Sequence, residues 1–163
     1  KFAKVYSIEP NPDFISVYLK KNRELINVAV GNTEEELDLH VPKRKLREGY
    51  DDNVHASLIL SELPESAKQD LDSRKVKVKR LDSIVPLGHY NILFIDVEGF
   101  EMKVLNGIDF EQFSFDLIFI ENNSPLRPLN EVRKFISKNG YSFYARIHGL
   151  DDIFINNSLG VLV

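Results

Sequence analysis

Residues 91–107, which read NILFIDVEGFEMKVLNG, contain the pattern that decides the fold of this chain. The run 92–97 is apolar except for Asp96, is rich in β-branched and aromatic side chains, and is too short for a buried helix. These properties predict a strand that is covered on both faces, as in a parallel sheet. Gly99 permits a sharp turn after this strand, and the apolar spacing beyond it predicts a short helix that ends at Gly107.

Acidic side chains collect at the end of this predicted strand, where Asp96, Glu98 and Glu101 follow one another within six residues. Ligands of open α/β sheets bind beyond the carboxyl ends of the strands, so these acids are candidates for a functional site. Glu101 has a second interpretation, which we favour: a solvated acid in the first turn of the helix, where it complements the helix dipole.

A second segment of the chain repeats this design. Residues 116–121 (DLIFIE) predict another buried strand, which ends in the acid Glu121 and is followed by a helix and then by a strand at 141–147. We expect the strands at 92–97 and 117–121 to be adjacent and parallel, with the 141–147 strand beyond them. The alternation of strands and helices predicts an α/β fold with a mostly parallel sheet and antiparallel strands added late.

The N-terminal part of the chain has a strand that ends at Glu9. Asn11 and Pro12 then suit the N-cap and the first position of a helix that runs to about Asn22. A carboxylate at the end of a strand in a nucleotide-binding sheet commonly accepts both ribose hydroxyls. The alternative is that Glu9 caps the start of its own helix, and the spacing of the residues favours neither interpretation.

Two further strands are predicted at 26–30 and 37–41. Val76 and Val78 alternate with lysines, a pattern that predicts an edge strand protected against aggregation. The irregular segment 43–73 would shape a substrate pocket, so the sequence does not predict which substrate the pocket takes.

The composition excludes several functional classes. The 163-residue chain carries a net charge of −4 and no cysteine, which excludes disulfides, thiolate zinc sites and a cysteine nucleophile. Basic clusters at 43–47 and 74–80 have acids close by, and we interpret them as solvated faces rather than a nucleic-acid surface. No apolar run reaches the roughly 18 residues of a membrane span. We expect one soluble, cytoplasmic domain over residues 1–163.

Six segments occur in the order and spacing typical of FkbM-type methyltransferases: VYSIEPNP, HASL, VKRLDSI, IDVEGFEMKVLNG, IFIEN and KNGYSFY. The chain resembles this family from Val5 to about Ile155, and IDVEGFE followed by VLNG is the most specific part. The resemblance implies a Rossmann-like class I methyltransferase fold with S-adenosylmethionine as the cofactor. It also implies O-methylation of a hydroxyl on a sugar or another small molecule.

The resemblance further implies roles for individual residues. Ser57 matches a serine of the family whose role does not follow from the sequence. His148 follows the 141–147 strand and is a candidate base or substrate contact, although an exposed loop histidine is the more favoured interpretation. The predicted sites are catalysis by Asp96 and Glu98, cofactor binding by Glu9, Asp96 and Gly99, and substrate binding by Glu121 and His148.

A magnesium site is a further possibility for the same acids, because they and Asn122 offer the hard oxygen ligands that Mg²⁺ prefers. We favour it less, because residues i, i+2 and i+5 across a strand-to-helix turn need not converge on one point. The sequence therefore leaves the use of a metal open.

One part of the family pattern is not found in this sequence. A first strand and a glycine-rich loop of the form D-x-G-A-N-x-G should precede Lys1, with that strand lying between those that end at Glu9 and Asp96. We expect upstream residues of the natural protein to supply both; otherwise residues 5–8 and 93–95 must pair directly. The missing loop also leaves open a second function, a catalytically silent methyltransferase-like module that binds a partner.

Overall fold

A computed structural model describes residues 4–14, 24–43, 56–63, 65–124 and 128–160. In chain order its strands are β1 (Tyr6–Ile8), β2 (Glu24–Ile26), β3 (Ala29–Val30), β4 (Glu35–Pro42), β5 (Leu71–Lys79), β6 (Gly88–Ile95), β7 (Phe113–Glu121), β8 (Tyr141–Ile147) and β9 (Asp151–Asn156). Its helices are α1 (Glu101–Asn106) and α2 (Leu129–Lys138), with short 3-10 turns at Pro12–Phe14, Leu60–Glu62, Leu81–Ser83 and Asn157–Leu159. Most of the helix predicted to run to Asn22 lies outside the described residues.

The described strands form three sheets with mixed strand directions. The first pairs β1 with β2 in parallel, and the second has the order β3-β5-β4, with β5 parallel to β3 and antiparallel to β4. The third has the order β6-β7-β9-β8, in which only β6 and β7 are parallel. The fold is therefore mixed α/β, and the prediction of a mostly parallel sheet is wrong for this part of the chain. The reason is that β8 and β9 form a hairpin that inserts β9 beside β7.

The predicted neighbours of the central strand are confirmed. β6 and β7 are adjacent and parallel, with Ile92 opposite Leu117 and Ile95 opposite Ile120. β8 lies beyond them, separated from β7 by β9, and both late strands bring antiparallel pairing as predicted. The parallel register places the carboxyl ends of β6 and β7, and so their acids, at the same edge of the sheet.

Alternate residues of β6 point to opposite faces of its sheet. Ile95 is buried in the main core together with Ile118 of β7 and the apolar faces of α1 and α2. On the other face Phe94 is 69% exposed and Ile92 is 47% exposed, and Phe94 stacks on Phe119 with 4.7 Å between ring centroids. The prediction that this strand is covered on both faces is wrong for the described residues, because both helices pack on one face.

The lysine-rich strand β5 is not the edge strand that the sequence predicted, since it lies between β3 and β4. Val76 and Val78 are buried, whereas the lysines between and beside them lie on the opposite face. Lys75 pairs across the sheet with Asp38 at 3.0 Å. Alternation of valine and lysine reports which face is buried, and it does not report whether the strand edges are paired.

β1 and β6 do not pair with each other. Within the described ranges β1 pairs with β2 and β6 pairs with β7, so no ladder joins residues 5–8 to 93–95. The two strands are nevertheless close, because the rings of Tyr6 and Tyr90 meet edge to face at 6.1 Å. The alternative of a shortened domain closed by direct pairing of these strands is therefore wrong for this structure.

Both helices end where the sequence predicted. α1 ends at Gly107, where a side chain would collide with the backbone oxygen of Gly31, so glycine is required there by close approach. α2 ends at Asn139, and Gly140 follows with a left-handed φ of 90°. Among the residues that the structure describes, no helix has the length and apolar character needed to cross a membrane.

Candidate active site at the ends of β1 and β6

A cavity of about 500 Å³ lies where the three sheets meet. Its wall is built from the end of β1, from β3 and β4, from residues 56–58, and from the end of β6 with the turn that follows. Three carboxylates line it, those of Glu9, Asp96 and Glu98, and Phe94 and Phe100 add aromatic surface. The cavity therefore combines apolar walls with a few convergent acids, the usual composition of a small-molecule site.

The turn between β6 and α1 has an unusual backbone. Glu98 has a φ of 49° and Gly99 a φ of 96°, both in the left-handed region. For a residue with a side chain, such as Glu98, this conformation costs on the order of 1–3 kcal/mol and persists only where the surroundings impose it. Backbone outliers of this kind are concentrated at functional sites, which strengthens the case for this turn.

Glu101 holds this turn from inside the protein. One of its carboxylate oxygens accepts hydrogen bonds from the backbone amides of Gly99 at 3.0 Å and Val97 at 3.4 Å. Its side chain is 1% exposed, so the prediction of a solvated acid is wrong. The residue is buried because its oxygens satisfy amides that the strand-to-helix turn would otherwise leave unbonded.

Gly99 is required by a close neighbour as well as by its backbone. A Cβ at this position would overlap the side chain of Glu62, from the turn Leu60–Glu62. The Glu62 carboxylate in turn accepts hydrogen bonds from the Ser124 hydroxyl at 2.8 and 2.9 Å. No pattern in the sequence marked Glu62, because it lies in a polar run without periodicity.

Glu98 and Glu121 have strongly perturbed acidities. Burial, the largest cause, and four acidic neighbours together raise the pKa of Glu98 from an ordinary value of 4.5 to about 8. These neighbours are Glu121, Asp96, Glu101 and Glu62. Burial, together with the charges of Asp96 and Glu101, likewise raises the pKa of Glu121 to about 7. Both groups therefore exchange protons near neutral pH, where an ordinary glutamate is fully ionised.

Asp96 and Glu9 face each other across the gap between β6 and β1. Asp96 is open to the cavity, yet the surrounding protein reduces its hydration and raises its pKa, and the charge of Glu101 adds to the effect. The pKa of Glu9 is also raised, first by burial and then by the charge of Asp96. A hydrogen bond from the backbone amide of Asn11 to Glu9 Oε1, at 2.7 Å, acts in the opposite direction.

The hydrogen bond from the Asn11 amide supports the capping interpretation of Glu9. Glu9 also lines the cavity, as the ribose interpretation requires. Glu121 lies outside the cavity wall, and its carboxyl group interacts with that of Asp96. His148 lies elsewhere, in the exposed turn between β8 and β9, with a φ of 51°. The structure therefore brings Glu9, Asp96, Glu98 and Gly99 together and leaves His148 apart.

The magnesium alternative receives no support. Within the described ranges, no group of three or more histidine, cysteine, aspartate or glutamate side chains has an arrangement that could hold a metal ion. Glu101 directs an oxygen at backbone amides, and Asp96 bonds to Glu121.

A second charged cluster lies at the same end of the sheet, around Asp152 of β9. This side chain is 0% exposed and accepts hydrogen bonds from Arg133 at 2.8 Å, Arg146 at 2.9 Å and Asn122 at 2.7 Å. Burial alone would raise the pKa of Asp152, but these hydrogen bonds outweigh it and lower the pKa. We call these four residues the Asp152 cluster; the sequence showed no pattern that would have predicted it.

A family model described as the methyltransferase FkbM domain matches residues 3–143. Comparisons with curated proteins and with solved structures gave no match. The matched range includes the whole cavity wall and Glu121, and it ends before His148. This chain belongs to the FkbM methyltransferase family.

Proposed function

We propose that the protein uses S-adenosylmethionine to O-methylate a hydroxyl on a sugar or another small molecule. The family supports methyl transfer, while the cofactor and the hydroxyl acceptor are our proposals. The observation that carries them is the cavity at the ends of β1 and β6, which is lined by the acidic residues Glu9, Asp96 and Glu98. A volume of about 500 Å³ is within the range of small-molecule sites.

The residues present fit this cofactor by charge and by shape. Its sulfonium and ammonium groups are cations, which suit a wall of carboxylates, and Phe94 and Phe100 offer apolar surface. Glu9 would hold the ribose hydroxyls, and Asp96 with the backbone at Gly99 would hold the end that carries the methyl group. When bound, the cofactor would supply an electrophilic methyl group on sulfur.

Glu98 would accept the proton that the acceptor hydroxyl loses. A general base works best when its pKa is near the working pH, and the pKa of about 8 meets that condition. We assign Glu121, which is a neighbour of Glu98, to contact with the substrate. His148 would contact only an acceptor large enough to extend to the β8–β9 turn.

We also propose that the three sheets belong to one class I methyltransferase sheet. The parallel pairs β1–β2 and β6–β7 each have an edge that is not paired within the described residues. One strand between them, at the usual spacing of about 4.8 Å on each side, would join both pairs. Residues outside those described would supply this strand, and with it the glycine-rich loop that the family pattern includes.

The experiment is a pH profile of methyl transfer from labelled S-adenosylmethionine to a panel of sugars and other hydroxyl compounds. We expect the rate to rise through about pH 8, because Glu98 must lose its proton before it can accept another. Glu98→Gln should lower the rate by about 10²–10⁴-fold, the usual contribution of a general base, and remove this rise.

The control variant is Asp38→Asn, which removes the charge of a surface acid that pairs with Lys75 and should leave the profile unchanged. An unchanged profile in Glu98→Gln would remove Glu98 from the mechanism. Failure to bind the cofactor at all would favour the second candidate, the silent partner-binding module.

A further inference from the structure

Ser57 is buried beside the cavity and is fixed to the core of the second sheet. Its side chain is 1% exposed. Its backbone bonds twice to His40 of β4: the His40 amide donates to the Ser57 oxygen at 2.9 Å, and the Ser57 amide donates back at 3.0 Å. The position of its hydroxyl is therefore set by β4 rather than by the loop in which Ser57 lies.

The Ser57 hydroxyl has one hydrogen to donate, and the shorter of its two contacts identifies the acceptor. Its Oγ lies 2.7 Å from the carbonyl oxygen of Glu98 and 3.2 Å from that of Ile59. The amide of Ile59 donates to the same Oγ at 3.0 Å, which orients the hydroxyl. The hydrogen bond to Glu98 thus comes from a donor that is itself held in place.

The peptide group that joins Glu98 to Gly99 is held at both of its polar atoms. Ser57 binds its carbonyl oxygen at 2.7 Å, and the Glu101 carboxylate accepts from its amide, the N–H of Gly99, at 3.0 Å. This peptide follows the left-handed residue Glu98, whose φ is 49°. The two partners hold opposite edges of one peptide group, which explains why Glu98, a residue with a side chain, keeps a left-handed conformation.

We infer that Ser57 is a positioning residue, which holds the 98–99 peptide so that the Glu98 carboxyl stays in the cavity wall. This role deepens the proposed function. The expected effect on catalysis rests on that function, whereas the expected displacement of Glu98 does not. Groups from four directions face the Glu98 side chain: Glu121 from β7, Asp96 from its own turn, Glu101 from α1 and Glu62 from the turn Leu60–Glu62. Release of the peptide would move Glu98 away from these acids and into water.

The test measures Glu98 directly in the complete natural protein. Carbon-13 labelling of glutamate side chains and an NMR titration, with Glu98→Gln used to assign the signal, give the pKa of this carboxyl. In Ser57→Ala the pKa should fall from about 8 toward the ordinary 4.5, because the side chain gains water and loses its acidic neighbours. Ser57→Cys keeps a side chain of similar size with a weaker donor, and should change the pKa in the same direction.

Kinetics separate positioning from general support of the fold. In Ser57→Ala we expect kcat to fall about 10–100-fold, because Glu98 is no longer held where it can accept the proton. Ser57→Thr keeps the hydroxyl and should restore both the pKa and kcat relative to Ser57→Val, which has nearly the same shape without the hydroxyl. Ser83→Ala is the control, because it removes an exposed hydroxyl that donates to the Arg80 carbonyl at 2.9 Å, and it should change nothing.

The NMR result stands even if the protein proves to have no methyltransferase activity, so the failure of each proposal can be recognised separately. An unchanged Glu98 pKa in both Ser57→Ala and Ser57→Cys would overturn the positioning role. Equal behaviour of Ser57→Thr and Ser57→Val would also overturn it, since the hydroxyl would then be irrelevant.

Discussion

Two acids at the same end of the four-stranded sheet have opposite electrostatic environments. Asp152, on β9, is surrounded by Arg133, Arg146 and Asn122, and its pKa is lowered although it is 0% exposed. Glu98, just beyond β6, is surrounded by other acids, and its pKa is raised to about 8. The difference shows that arginines neutralise the buried acid that joins structural elements, whereas several acids lie close together beside the cavity.

The contacts of the Asp152 cluster support this division. Arg133 connects α2 to β9, and its guanidinium lies 4.1 Å from the centre of the Phe143 ring. Arg146 also donates to the backbone oxygens of Asn122 and Gly149, so it joins the end of β7 to the β8–β9 turn. The cluster therefore joins α2, β8, β9 and the residue after β7 through one buried carboxylate.

The largest effect should come from breaking the Asp152 cluster. Asp152→Ala would leave the guanidinium groups of Arg133 and Arg146 without their shared acceptor. We expect a loss of about 3 kcal/mol in the free energy of unfolding, the lower end for a broken buried pair, because both arginines keep some access to water. For a domain of this size the melting temperature should fall by about 6–12 °C.

The matched control for this variant is Asp38→Ala, which removes the exposed pair with Lys75 and should cost less than about 1 kcal/mol. Urea denaturation of both variants gives the free energies of unfolding to be compared. If Asp152→Ala and Asp38→Ala lost similar amounts of stability, the contrast between the two regions would fail on its structural side.

A smaller effect, of opposite sign, should follow from Glu98→Gln. The unfolded chain releases the proton of Glu98 near its ordinary pKa of 4.5, whereas the folded protein keeps it until about pH 8. Stability from this group is therefore complete below about pH 4.5 and is lost as the pH rises through about 8. Each unit of elevation corresponds to about 1.4 kcal/mol, but Glu98 is only half-buried and water screens its charge, so we expect the variant to exceed the natural protein by only about 1–2 kcal/mol at pH 8.5.

At about pH 4, where both side chains are neutral, Glu98→Gln and the natural protein should have equal stabilities, and this comparison is the internal control. Denaturation curves across this pH range test the prediction. If the variant were less stable than the natural protein at pH 8.5, the negative charge of Glu98 would be stabilised by its surroundings, as that of Asp152 is.

Local patterns in the sequence predicted the elements that depend on local chemistry. The apolar runs ending at Asp96 and Glu121 gave two adjacent parallel strands, and Gly107 and Gly140 marked helix ends. The acids after β6 were predicted to be candidates for a site, because ligands of open α/β sheets bind beyond the carboxyl ends of the strands.

Properties that depend on distant partners were not predicted. Glu101 is buried because it bonds to amides of the preceding turn, and nothing in its position along the helix distinguished it from a solvated acid. The bond between Ser57 and Glu98 joins residues 41 apart in sequence, and Phe94 is exposed because both helices pack on the other face of its sheet. These features follow from how the sheets and helices pack, which no single segment encodes.

The most direct test of the central claim, that the cavity at the ends of β1 and β6 binds the cofactor, is a calorimetric titration of the complete natural protein with S-adenosylhomocysteine. We predict one site whose affinity falls about 10–150-fold in Glu9→Ala, which corresponds to the roughly 1.5–3 kcal/mol of hydrogen bonds to a charged group. Asp38→Ala should bind as the natural protein does, because its carboxylate lies on the surface and pairs with Lys75. Unchanged affinity in Glu9→Ala would leave Glu9 only its bond to the Asn11 amide, and absence of binding to the natural protein would contradict the account.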